Sequence, residues 1–216
     1  DDTNGNLVVL GGAGVNTITG SASDLGDNIT GGGSDDIFKF EATDLTTLDT
    51  VAGGEGTDSI NYTADEAVAL TDFTNVTSVE VLTAAASVQI TGNLGAAADA
   101  AGIRTVTLND DGNGDNVVID AEFTSALTVN VDDGNNTVDA SAYTGVLTAA
   151  STATILDADV HTLTGGTGTS DELLVTADGT GIDNASMTTI TAFEKITIAS
   201  DVATGDIVLD ELNIAD

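Results

Sequence analysis

Gly53-Gly54-Glu55-Gly56-Thr57-Asp58-Ser59-Ile60 is the stretch whose reading decides the fold. A Gly-Gly-x-Gly run reaches positive backbone torsions that other residues resist, so successive carbonyl oxygens can converge on one point. An Asp two residues on adds a carboxylate, and a short aliphatic strand follows. Five further stretches carry the pattern: Gly11-Gly12-Ala13-Gly14-Val15-Asn16, Gly31-Gly32-Gly33-Ser34-Asp35-Asp36, weaker copies from Asp111 to Val118 and from Val131 to Val138, and one with an inserted residue from Gly165-Gly166-Thr167-Gly168 through Asp171 to Leu173. Their starts lie 20, 22, 58, 20 and 34 residues apart. Half-copies lie between them: Asp27-Asn28-Ile29-Thr30 runs into Gly31, and Asp49-Thr50-Val51-Ala52 runs into Gly53. His161-Thr162-Leu163-Thr164 stands in the same place before Gly165, with His where Asp is expected.

A longer repeat is superimposed on the short one. Gly53 to Thr83 and Gly165 to Thr197 match in order: Thr63-Ala64-Asp65 meets Thr176-Ala177-Asp178, and Val76, Val79, Glu80 and Leu82 meet Ile190, Phe193, Glu194 and Ile196. The chain contains a duplicated module. Short β-branched runs (Val106-Thr107-Leu108, Val117-Val118-Ile119, Leu127-Thr128-Val129, Ile196-Thr197-Ile198) are bounded by Gly, Asn and Asp turns and read as strands. Around Asn93 to Gly102, where Ala is abundant, the sequence reads equally as one modest helix or as a surface loop.

Composition narrows the function classes. The chain has 216 residues, 36 Asp and Glu against 3 Lys and Arg, and a net charge of -33, yet 41% of it is hydrophobic, which argues against an acidic disordered tail. Aromatic residues make up only 3%, so the core is expected to be built from Val, Ile, Leu, Ala and Thr. Without Cys, disulfides and thiolate chemistry are excluded. Three basic residues cannot neutralise phosphates, so nucleic acid and anionic membrane surfaces are excluded as partners. No apolar run is long enough for a transmembrane segment. The start at Asp1-Asp2 suggests a segment of a larger protein, and the lack of Cys with extreme acidity suggests work outside a bacterial cell.

The Gly-Asp units resemble the haemolysin-type, or RTX, calcium-binding nonapeptide, and the copy at Gly53 matches without exception. The resemblance implies that calcium, a hard cation wanting six to eight oxygens, binds between stacked turns. The implied metal-binding set is Gly11, Gly12, Gly14, Asn16, Asp27, Gly31, Gly32, Asp36, Asp49, Gly53, Gly54, Gly56, Asp58, Asp111, Asp115, Asp133, Gly165, Gly166, Gly168 and Asp171. If each nonad is half a coil, Asn16, Asp36 and Asp58 line one edge, and Asp27 and Asp49 the opposite one. The sparse pattern, with Thr-rich coils between and a repeated Val-x-x-Val-Glu step, also resembles calcium-dependent bacterial surface-layer proteins.

The expected fold is therefore all-β: a right-handed, calcium-bound parallel β-solenoid of about ten coils. It would run continuously through a roll-like part (1–62), irregular coils (63–164) and the repeated module (165–216). The expected role is structural, a self-assembling part of an extracellular sheet or filament exported by a type I system, with any polysaccharide anchoring outside this segment. A stalk module of a secreted adhesin and a secretion module of an exported hydrolase are the alternatives.

Catalysis is not expected. The acidic pairs sit in turns with other acids, Gly11-Gly12-Ala13-Gly14 is followed by no Lys and opens no long helix, and His161 is expected in solvent on a turn. A flat ice-binding face would need threonines in register from coil to coil, against which the uneven spacing argues.

Overall fold

The computed structural model describes residues 6–22, 25–41, 43–64, 66–68, 71–86, 88–109, 114–176 and 187–198. The chain winds as successive rungs, each contributing one strand to either side. The first four are β1 (Val8–Leu10) with β2 (Thr17–Thr19), β3 (Asn28–Gly33) with β4 (Ile37–Phe40), β5 (Thr50–Glu55) with β6 (Ser59–Tyr62), and, after the extra strand β7 (Glu66–Val68), β8 (Val76–Thr77) with β9 (Val81–Ala84). The fifth is β10 (Ile90–Leu94), helix α1 (Ala96–Ala101) and β11 (Thr105–Thr107). There follow β12 (Asn116–Ile119) with β13 (Leu127–Asn130), and β14 (Thr137–Asp139) with β15 (Leu147–Ser151). Helix α2 (Ala153–Ala158) leads to β16 (Thr162–Thr164) with β17 (Glu172–Val175), and β18 (Ile190–Thr191) pairs its rung with β19 (Lys195–Ile198).

All pairings among the described strands are parallel, from β1 against β3 at one end to β17 against β19 at the other. This is a β-solenoid. One side is a continuous nine-stranded sheet; the other is split into a four-stranded sheet (β1-β3-β5-β8) and a six-stranded sheet that begins at the inserted β7. Nine rungs, making eight steps, are described up to Ile198, against about ten coils expected over all 216 residues. At about 4.8 Å per step the described rod is about 40 Å long. Coils need more residues than the nonad arithmetic allows: Val81 pairs with Thr105, 24 residues on, and Thr148 with Glu172, also 24. The excess is absorbed in corners, so Thr105, Thr128 and Thr148 do align. The expectation that uneven spacing breaks the threonine register was wrong. Val81 and Glu172 end that row.

The interior is a stack of aliphatic side chains with a few aromatics, Phe38, Phe40, Tyr62, Phe73, Phe123 and Tyr143, fully buried among them. Ile18, Phe38, Ile60, Leu82, Val106, Val129, Ala149, Leu173 and Ile196 stack in register down the nine-stranded sheet. Ile29, Val51 and Val76 face them from one part of the other side, and Val117, Val138, Leu163 and Ile190 from the other. All but Ile196, which is partly buried, belong to one buried cluster. Period-two alternation produces this: on β4, Phe38 and Phe40 point in while Ile37 and Lys39 are half-buried on the outer face.

A helix, not a surface loop, forms over Ala96–Ala101 and ends on Gly102 at φ 109°. The sequence reading did not foresee α2, which Thr152 caps by accepting the Ile155 N–H.

Leu82→Ala removes a fully buried side chain from the centre of the stack. It should lower unfolding free energy by about 2–5 kcal/mol, against less than about 0.5 for Thr19→Ala on the exposed face. Urea denaturation of both variants checks the difference.

Candidate metal centre

Among the described residues nine polar or charged side chains are buried: Asp27, Asp36, Asp49, Asp58, Asp115, Asn136, Ser151, His161 and Asp171. Eight of them, all but Ser151, immediately precede a strand. Each accepts a backbone N–H from the rung before. On the nine-stranded side, Asp36 Oδ1 takes Asn16 N–H at 2.6 Å, Asp58 Oδ1 takes Asp36 N–H at 2.7 Å, and Glu80 Oε2 takes Asp58 N–H at 2.8 Å. On the opposite side, Asp27 Oδ1 takes Leu7 N–H at 2.9 Å and Asp49 Oδ1 takes Asp27 N–H at 2.6 Å. The two edges are composed as the nonad arithmetic places them.

The second carboxylate oxygen separates these sites. Asp27 Oδ2 accepts the Ser21 N–H, Asp49 Oδ2 the Thr46 N–H and hydroxyl, and Asp171 Oδ2 the Gly166 N–H. Those carboxylates close loops with donors of their own chain. Asp36 Oδ2 and Asp58 Oδ2 are buried with no hydrogen-bond donor. Burial pushes the Asp58 carboxyl above its ordinary value, and the neighbouring acids Asp36, Glu80 and Asp35 add to this, against the Asp36 N–H, which lowers it.

Each orphan oxygen lies over a glycine. A Cβ on Gly31 would come within 2.3 Å of Asp36 Oδ2 and 2.6 Å of Gly53 O. On Gly53 it would meet Asp58 Oδ2 at 2.3 Å and Ser78 O at 1.8 Å. In both turns a carboxylate oxygen and the next rung's carbonyl oxygen crowd a space that a side chain would fill. Gly54, at φ 116°, adds the positive torsion the turn requires. Two acceptors facing each other without a proton or cation are unfavourable, and the donor set is all oxygen, which suits a hard cation. Among the described residues no three His, Cys, Asp or Glu side chains converge. A cation here would therefore rely on carbonyls for most of its ligands.

The first turn is built differently. Asn16 Nδ2 donates to Gly14 O at 2.5 Å, to Asp36 Oδ1 at 2.9 Å and to Gly31 O at 3.4 Å. Its amide supplies positive charge density where the later turns have none. Gly12 and Gly14 have open space around them, while Gly11, Gly165, Gly166 and Gly168 are each pressed against a neighbouring rung's carbonyl, as is Gly32 by Gly12 O and Gly56 by Ser34. Asp133 is exposed on its turn; Asn136 holds the buried ladder position there, accepting Asp115 N–H at 2.7 Å. Asp115 in turn accepts the Ile90 N–H at 2.5 Å. Asp111 lies outside the described residues.

His161 was misread as a solvent-facing residue. It is 1% exposed, and its Nδ1 faces the Asn136 N–H at 3.3 Å. Glu80 and Glu194 were missed as ladder members, although the repeated Val-x-x-Val-Glu step and the 22-residue interval from Asp58 to Glu80 mark the position. The duplicated module recurs in detail. Asp171 N–H donates to Glu194 Oε2 at 2.8 Å, as Asp58 N–H does to Glu80, and Ser78 and Ala192 share the left-handed region at φ 53° and 60°.

No family model matches the chain, and neither a curated protein nor a solved structure matches it. No helix among the described residues is long and apolar enough to cross a membrane.

Gly31→Ala and Gly53→Ala should each lose several kcal/mol, because the added Cβ meets backbone of the next rung as well as the carboxylate. Gly12→Ala and Gly14→Ala should be neutral or gain up to about 1 kcal/mol. Denaturant midpoints of the four variants decide it.

Proposed function

We propose that this chain is a calcium-folded structural segment of a bacterial extracellular surface layer, which assembles into sheets or filaments with copies of itself. The observation that carries the reading is the pair of buried, donorless carboxylate oxygens of Asp36 and Asp58, set in a chain of net charge -33. A divalent cation between rungs supplies the missing positive charge there and joins successive coils. Gly31, Gly53 and the Ser78 carbonyl would complete the cradle, and calcium would supply the electrostatic attraction between rungs that are otherwise both acidic. The rod has no further part in chemistry under this reading. Its acidic surface keeps copies apart until divalent ions bridge them, since charges within about 10 Å of one another are poorly screened at 0.1 M salt.

Folding should respond to calcium, because the oxygens converge only in the folded turns. The wild-type melting temperature should fall in chelator, whereas Asp36→Asn/Asp58→Asn, which places amides as Asn16 already does, should melt at one temperature with or without calcium. A wild-type melting curve indifferent to chelation defeats the metal reading.

The pH dependence has a definite sign. In chelator the folded state keeps a proton on Asp58 above the ordinary value of 3.8, where the unfolded chain has released it. Stability is therefore present at acid pH and falls as pH rises through the raised value. Calcium should cancel that fall, and Asp58→Asn should remove it. Melting curves from about pH 4 to about pH 8 measure both.

Assembly is tested on the intact protein by electron microscopy. Millimolar calcium should give ordered sheets or filaments that chelator disperses. A protein that stays monomeric while its fold responds fully to calcium would instead be a stalk of a secreted adhesin or a secretion module.

A further inference from the structure

The buried ladder on the six-stranded side ends in an imidazole. Asp115 stands before β12, Asn136 before β14 and His161 before β16. Asp115 N–H donates to Asn136 Oδ1 at 2.7 Å, and Asn136 N–H to His161 Nδ1 at 3.3 Å. A ring nitrogen that accepts from a backbone N–H carries no proton, so the ring is the neutral tautomer with its hydrogen on Nε2. That nitrogen faces the Ile155 carbonyl of α2 at 3.3 Å. One buried ring thus ties helix α2 to the sheet ladder. The Thr189 hydroxyl donates to the His161 carbonyl, joining the same residue to the next rung.

We infer that His161 is an acid-operated latch: neutral, it holds α2 and the β14–β16 corner closed, and protonated, it releases that corner while the first four rungs stay folded. Imidazolium has two donors and no acceptor. Protonation therefore sets an N–H of the ring against the Asn136 N–H, which keeps only its bond to the Gly134 carbonyl at 3.0 Å. The charged group acting on the ring is Asp133, from the exposed turn before β14. From the other packed elements the ring meets the Asn136 amide and the Ile155 carbonyl, both uncharged. Burial lowers the His161 value below 6.5, and the Ile155 hydrogen bond and Asp133 only partly offset it. The contribution is present above 6.5 and lost as pH falls through the lowered value, opposite in sign to the effect of Asp58.

Hydrogen exchange on the whole protein, in fixed calcium, at about pH 7.5 and about pH 5 tests the latch. After correction for intrinsic rates, protection of the Asn136 amide and of the α2 amides should fall at least about tenfold on acidification in wild type, while the Asp36 and Asp58 amides keep theirs. His161→Asn, which retains an acceptor as Asn136 does but cannot titrate, should show no such fall. An equal loss in the variant, no loss in wild type, or a loss shared by Asp36 and Asp58 would overturn the proposal. The wild-type ring is read independently by long-range proton–nitrogen NMR. An unprotonated Nδ1 at about pH 7.5 and a midpoint below the ordinary His value support the latch; a protonated Nδ1 or a midpoint at or above that value sinks it, even should His161→Asn fail to fold.

Discussion

The architecture depends on one hydrogen bond repeated along two edges: a buried side-chain acceptor at the residue before a strand takes the N–H of its counterpart in the preceding rung. Parallel pairing satisfies backbone groups within strands, but at a corner the chain leaves one sheet for the other and its N–H points at the next rung with no strand partner. A carboxylate one rung on fills that gap, and a hydrogen bond to a charged acceptor contributes about 1.5–3 kcal/mol net. Removing the acceptor harms the rung before it. Loss of the Asp58 side chain strands the Asp36 N–H, not its own.

Corners without an acid are closed by other means. Tyr143, fully buried, donates its one hydroxyl proton to Ser125 O, with Val146 O at 3.2 Å as the weaker branch of the same bond, and packs edge-on against Phe123 with ring centroids 6.0 Å apart. Burial, with Asp171 and Asp99 nearby, pushes its phenol up to about 12, so it remains a donor. Two rungs earlier, burial works against ionisation of Asp99, but hydrogen bonds from Ser125 and Thr124 outweigh it and hold the carboxyl at about 2. Asp99 pairs with Arg104 at 3.0 Å, so α1 is fastened to its neighbour through a charge that ordinary acidity does not remove. Bulky aromatics and a capped helix thus do in the middle of the rod what glycine, carbonyl and carboxylate do near its start.

The strands and the two acidic edges were legible because a period of two and a spacing near twenty are both written in the residues. Asn16, Asp36 and Asp58 fell on one edge by counting alone. The burial of His161 was not legible: a lone His in polar text says nothing of its exposure, and only its position before Thr162-Leu163-Thr164 marked it as a substitute for Asp. Glu80 and Glu194 were obscured because their turns lack the glycine pair. Their longer side chains reach the same N–H from a backbone that Ser78 and Ala192 bend instead. Helix α2 was hidden because Ala153-Thr154-Ile155-Leu156 reads as well for a strand, and only the Thr152 cap and the neighbouring ladder decide it. Counting did not find the row of Thr105, Thr128 and Thr148, because corner insertions between those strands absorb the uneven spacing.

The parallel register has a kinetic consequence. Each strand pairs with one some 20 to 27 residues away in sequence, as Thr17 with Ile37, Thr105 with Thr128, and Leu163 with Ile190. Contacts that join distant parts of the chain are not needed to complete a rung. Loop closure of such a length is entropically modest, and it is the same for the eighth rung as for the second. Once a first pair of rungs exists, every later one adds to a template already in place, so the chain can grow its structure from one end as it is delivered, without waiting for its last residue.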